Sequence, residues 1–122
     1  MTDQRFIIEM GMGNDLWNMD YQAAARRAIK DAYAHVTLPM LATLGLDLSA
    51  LRVQVTVGVQ APEALDTGAL STLISKGQVS VRAVFGGQNV VNPDTGDTIV
   101  IASAAIEAFL PYQGNCWTGG TT

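Results

Sequence analysis

Residues 52–59, Arg-Val-Gln-Val-Thr-Val-Gly-Val, constrain the fold more than any other stretch of this chain. Val53, Val55, Val57 and Val59 alternate with Arg52, Gln54, Thr56 and Gly58. Only a β-strand turns a period of two into a single apolar face. Such a face has to be buried, so the chain must supply both a sheet and a layer to cover it. Three further strands are readable. Residues 5–13 alternate, with Phe6, Ile8, Met10 and Met12 expected inward and Ile7, Glu9, Gly11 and Gly13 outward. Residues 78–85 are expected to bury Val79, Val81, Ala83 and Phe85. From Thr98 to about Ile106 both faces are apolar, Ile99 and Ile101 against Val100 and Ala102, as in a central strand.

The covering layer comes from two helices. Asp20 is a good N-cap for a helix running to about Val36. Its inward stripe is Tyr21, Ala24, Ala25, Ala28, Ile29, Ala32 and Val36, mostly alanine, which lets a helix lie close on a sheet. Arg27 and Asp31, one turn apart on the outer side, are expected to pair for a few tenths of a kcal/mol. Pro39 and Gly45 break the pattern, and residues 40–51 read as a short helix or a packed connection. After the loop at 62–67, a short helix carries Leu70, Leu73 and Ile74 inward and stops at Lys76-Gly77. Residues 86–97 read as turn throughout. From Pro111 a Gly-rich tail holds Tyr112, Cys116 and Trp117.

The expected fold is therefore α/β of the α+β kind, in the order β-α-β-α-β-β. A four-stranded mixed sheet carries its helices on one face, as one domain over residues 1–110 with a tail at 111–122. The helix-free face is expected to show Glu9, Gly11, Gln54, Thr56, Ser80 and Arg82. Apolar residues make up 48% of the 122 and charged ones only 15%, too little charge to cover a monomer's surface. The chain is thus expected to be its own partner, with three sheets packed about an axis as a homotrimer. A net charge of −4 with scattered cations argues against nucleic-acid binding. Without an apolar run of about 20 residues or a leader core, neither a membrane nor export is expected. The single cysteine, Cys116, excludes an internal disulfide and fits a cytoplasmic protein.

Several segments together carry a family resemblance. They are Ile8-Glu9-Met10-Gly11-Met12-Gly13-Asn14-Asp15 before the Ala-rich helix, Asp31-Ala32-Tyr33-Ala34-His35-Val36-Thr37-Leu38-Pro39, and Val57-Gly58-Val59 with Pro62-Glu63 and Asp66. Lys76-Gly77-Gln78-Val79-Ser80-Val81, Gly86-Gly87, and Gly96-Asp97 followed by Ile99-Val100-Ile101-Ala102-Ser103-Ala104-Ala105 complete them. The chain resembles, up to about Glu107, the conserved hypothetical family named after a Listeria "Lin" protein. That resemblance implies kinship without an activity, and the tail after Pro111 departs from it. The element order also resembles the small trimeric chorismate mutases. YjgF-type deaminases and ring-opening amidohydrolases have related architectures, and members of these groups bind small polar molecules in clefts between subunits or repeats. Fold analogy alone assigns no chemistry.

Candidate chemistry starts at Glu9. A carboxylate between bulky apolar neighbours must be paired, hydrogen-bonded or used. It is either an ion-pair partner of Arg52 or Arg82, of its own or a neighbouring subunit, or an acid/base or ligand-binding group. Gly11 and Gly13, leading to Asn14 and Asp15, either offer backbone N–H groups to an anion or carbonyl or form a turn. Leu16 stands where a dinucleotide fingerprint needs its third glycine. Asn14 and Asp15 are substrate contacts or turn formers. His35, the only histidine, follows Asp31 by one turn; it is either a ring oriented by that carboxylate or a helix C-terminal cap.

One histidine is too few for a catalytic zinc, and Asp94 and Asp97 lack the spacing of a calcium loop, so no metal or other cofactor is expected. Lys76 and Ser103 resemble a base and nucleophile only without the amidohydrolases' serine-glycine motif, and Cys116 has no basic neighbour. Arg5, Arg52 and Arg82 supply cations for a dianionic substrate, but nothing in their spacing shows that they converge. The expected function is binding of a small polar metabolite in inter-subunit clefts. Catalytic roles would fall to Glu9, Asp15 and His35, with ligand contacts from Gly11, Gly13, Asn14 and Arg82. Any reaction would be metal-free hydrolysis or proton transfer. The alternative is a non-catalytic ligand sensor or protein-interaction module.

Overall fold

The structure, a computed structural model, describes residues 3–35, 51–75 and 77–111. Along the chain come β1 (Asp3–Asp15), α1 (Tyr21–Ala34), β2 (Arg52–Val59), a 3-10 turn (Pro62–Ala64), α2 (Thr67–Ser71), β3 (Gln78–Phe85), β4 (Gln88–Val91) and β5 (Thr98–Pro111). The sheet order is β1-β5-β2-β3, with β4 also paired to β5. β5 runs antiparallel to β1, β2 and β4, while β2 and β3 are parallel and joined through α2. The doubly apolar strand is central, as its composition requires.

The mixed α+β architecture agrees with the sequence, but the sheet has five strands. The fifth, β4, lies within the stretch expected to be only turn. β3 ends at Phe85, and the chain crosses the end of β2 over Gly86 and Gly87 before lying along β5 as far as Val91. Gly87 has φ 63°, and a Cβ there would meet the carbonyl oxygens of Ile101 and, at 2.8 Å, Gly58. Only glycine allows the crossing.

Helix α1 starts where expected. The Asp20 carboxylate accepts the Ala23 N–H at 3.0 Å, and the helix ends at His35, whose backbone N–H reaches the Ala32 and Tyr33 carbonyls. Ala24, Ala25, Ala28, Ile29 and Ala32 are fully buried against Val53, Val55, Val57, Val59, Val100, Ala102 and Ile106. Leu70 and Ile74 join the same core, so both helices among the described residues cover one face.

The first strand faces the opposite way from expectation. Gly11 and Gly13 are buried under α1, while Ile8, Met10 and Met12 are 52%, 72% and 63% exposed on the other side, which among the described residues is free of helices. A Cβ on Gly11 would meet the backbone of Ala28 and Ala32. One on Gly13 would come within 2.5 Å of the Ala24 carbonyl oxygen and strike the Ala28 nitrogen. The helix backbone rests on the strand backbone, and only residues without side chains fit between them. Phe85 is also turned from expectation, 65% exposed at the end of an outer strand.

Arg27 and Asp31 do not pair with each other. Arg27 donates to the Asn14 carbonyl at 2.6 Å, and Asp31 accepts the Met12 backbone N–H at 3.0 Å. β1 is an edge strand, and its outward backbone groups need partners more than an exposed ion pair does. The readings on Val36, Pro39, residues 40–50, Lys76, Tyr112, Cys116 and Trp117 lie outside the described residues.

Candidate functional site

Register places the helix-free face in rows that run across the strands. Met12, Ser103, Gly58 and Val84 form one row, and Met10, Ala105, Thr56 and Arg82 the next. Ile8, Glu107, Gln54 and Ser80 follow, then Arg5, Phe109, Arg52 and Gln78. In the last two rows the charged side chains meet neighbours on the same face. Arg5 bonds Glu107 at 2.9 Å, and the Arg52 guanidinium stands 4.3 Å from the centre of the Phe109 ring.

The first two rows are different. Their middle positions are small (Ser103, Ala105, Gly58) and their flanks large, so they enclose a trough of about 590 Å³. Met10 and Met12 rise on the β1 side, Val84, Phe85 and Gly86 on the other, and Thr56 lies in the floor. The Asp31 carboxylate reaches the trough's rim around the edge of β1. A smaller hollow of about 150 Å³ lies between Leu16 and Trp17 and the residues Asn92, Asp97 and Ile99.

The site residues expected from sequence do not converge on this trough. Glu9 is half-buried on the helix side of β1, opposite the buried Ile106, with the sheet between it and Arg52 or Arg82. Within one copy of the chain Glu9 therefore pairs with neither arginine. Asp15, only 6% exposed, ties the loop after β1 to the start of α1. Its Oδ2 accepts the N–H groups of Asn18 at 2.9 Å and Asp20 at 3.0 Å, and Arg27 stands 3.5 Å from Oδ1. The Asp20 N–H, then that of Asn18, then the Arg27 guanidinium hold its carboxyl below the ordinary 3.8, against an opposing push from desolvation. Such a group stays ionised at neutral pH and is engaged on both oxygens. It is a structural tie rather than a proton carrier.

His35 caps the other end of α1, exposed, with its Nε2 3.9 Å from Asp31 Oδ1, too far for a hydrogen bond. Fourteen helical residues, about 21 Å, separate it from the Asp15 end. Gly11 and Gly13 lie under the helix, so their backbone cannot receive a ligand from that side. Asn14 is exposed, and its carbonyl is held by Arg27. Of the expected residues Gly11 lines the trough, and Arg82 stands beside it, its Nη2 3.4 Å from Oγ1 of the lining Thr56.

The conserved hypothetical protein family Lin0512_fam matches this chain over residues 5–108. The chain belongs to that family. The kinship drawn from the sequence motifs is thereby borne out, and it takes in all or most of every strand and helix just described. This Lin0512 chain is also similar to a solved structure, an FtsZ-like protein of unknown function from Nostoc punctiforme. The two are 30% identical with a TM-score of 0.78, covering 92% of this chain and 99% of that one. No curated protein matches the chain.

In this Lin0512 member, sequence reading missed the trough itself. Met10, Met12, Thr56, Ser103, Ala105 and Phe85 come from four strands. Their only joint signal is the cross-strand register. Among the described residues no three His, Cys, Asp or Glu side chains cluster to hold a metal, and no helix is long and apolar enough to cross a membrane.

Proposed function

We propose that this protein is a non-catalytic binding protein that works as a homotrimer, its helix-free sheet face covered by sister subunits and its trough holding a small ligand in the cleft between them. The observation that carries this reading is that exposed Met10, Met12 and Phe85 line one concavity, with exposed Ile8 one row beyond Met10 on β1. Large apolar side chains grouped around a hollow mark a binding surface rather than ordinary solvent-facing residues.

Charge favours a ring over a face-to-face pair. Among the described side chains the face carries Arg5, Arg52 and Arg82 against Glu107, with Asp31 at its rim, in a chain of net charge −4, so the remaining surface is more acidic still. A two-fold contact would set this cationic face against itself. A head-to-tail ring sets it against a different, more acidic surface. The trimeric architectures that the element order resembles support the same closure.

Of the two functional readings, binding without chemistry is the better supported. Glu9, Asp15 and His35 lie on different sides or ends of the fold, and Asp15 is consumed by backbone contacts. The test is solution mass by sedimentation at micromolar protein. The wild type is expected at three times 12.9 kDa, and the double variant Met10→Asp, Met12→Asp at a single copy with unchanged far-UV circular dichroism. A monomeric wild type overturns the assembly.

A further inference from the structure

We infer that the trough selects small amphipathic carboxylates, an apolar body with one anionic head, and that Arg82 anchors the head. The inference deepens the binding reading above and rests on it. The apolar body follows from the walls. Met10, Met12 and Phe85 stand around a floor of Ala105, Ser103 and Gly58, and a hollow of about 590 Å³ is of small-molecule size. Two methionines give that wall side chains that adapt to a chain or a ring.

The head follows from the arginine. Met10 and Arg82 occupy the two ends of one row, through the register pairs Met10 with Ala105, Ala105 with Thr56, and Thr56 with Arg82. Three strand spacings separate them by about 14 Å, so a cation stands just beyond one end of the floor, next to the lining Thr56, and a thioether at the other. Arg82 is exposed, its one hydrogen bond among the described residues is the long 3.4 Å contact with Thr56, and no carboxylate there pairs with it. A guanidinium with most of its five donors open is matched by a carboxylate, which it can hold through two parallel bonds.

The neighbouring charges set the direction. Glu107, one row away, is already bonded to Arg5 at 2.9 Å. Asp31 lies on the opposite rim with its carboxylate on the Met12 N–H. An anionic head is therefore repelled at the Met12 end and attracted at the Arg82 end. The same arrangement disfavours a ligand with acids at both ends.

Calorimetric titration of the intact protein with octanoate, octanamide and octylammonium tests this. Octanoate is expected to bind at least about tenfold tighter than octanamide, with the gap closing as salt rises, and octylammonium weakest. Arg82→Gln should bring octanoate down to the level of octanamide, and Arg82→Lys should restore part of the difference. Ser103→Leu, which fills the floor, should weaken both, while Lys30→Gln, on the exposed side of α1, should change neither. Equal binding of octanoate and octanamide, or an Arg82→Gln protein that still prefers octanoate, overturns the carboxylate assignment and leaves the trough as a binding site. Failure of all three probes to bind overturns the binding reading and this inference with it.

Discussion

Gly13→Ala is a one-carbon change with a large expected cost. The added Cβ would lie 2.5 Å from the Ala24 carbonyl oxygen, 2.7 Å from the Arg27 carbonyl carbon, and against the Ala28 nitrogen. All three are helix backbone, so no side chain can swing aside. A carbon beside a carbonyl oxygen needs about 3.3–3.6 Å, so α1 must lift by about 1 Å. A gap of that size forfeits a quarter to a half of the dispersion between facing atoms, and the facing atoms here are the buried stripe Ala24, Ala25, Ala28 and Ala32. The cost belongs at the top of the overpacking range, about 3 kcal/mol, against a total stability on the order of 5–15 kcal/mol. For a chain of this length that corresponds to a Tm lowered by about 10–15 °C. Thermal melts by circular dichroism at one fixed protein concentration read it out. Gly68→Ala is the control, since its Cβ would meet only Asp66 Oδ1 at 3.4 Å and its φ is not left-handed; its Tm should hold or rise slightly. A Gly13→Ala protein melting within about 2 °C of wild type would refute the direct backbone seat.

Two further predictions concern the entry to α1. Because the Asp15 carboxyl is held below its ordinary 3.8, its stabilising effect is complete above that value and is lost as pH falls through the lower folded-state value. Asp15→Asn should therefore lower Tm at pH 7, and the difference from wild type should shrink in melts run progressively below pH 4; a difference independent of pH would contradict the ionised tie. Asp20→Ala removes the acceptor of the Ala23 N–H and should cost about 1 kcal/mol, a Tm drop of a few degrees, with Asp20→Ser recovering most of it.

What was legible in the sequence was whatever a period of two or 3.6 can encode. The valines of β2, the alanine stripe with its Asp20 cap, and the two-faced β5 all went where their spacing sends them. β1 misled because hydropathy scores the side chain that is present. Ile8, Met10 and Met12 look like core, and Gly11 and Gly13 look like nothing, yet the absent side chains make the tighter contact. The clue was there in the alanines of α1, which are small on the matching surface. β4 was hidden because four residues between Gly86-Gly87 and Asn92-Pro93 are too few to show a period. The candidate site was largely illegible for a related reason. Glu9, Asp15 and His35 drew attention as titratable groups, whereas the concavity is made by residue sizes across four strands, which only register brings together. Arg82 was found because a lone cation on a polar strand face is visible locally.

The position of β5 at the centre of the sheet has a consequence for how the chain comes to be folded. It mates with β1 through pairs as distant as Gln4 with Leu110, and with β2 and β4 as well, yet it leaves the ribosome after every other described strand. During synthesis the parallel pair of β2 and β3 can form early, but β1 has only α1 to rest on and no strand to pair with for nearly the entire passage of the chain. An apolar ribbon bearing Ile8, Met10 and Met12 waits meanwhile without its mate. Nascent copies are thus most prone to stick to one another just before translation reaches residue 98, and slow codons there would lengthen that exposure.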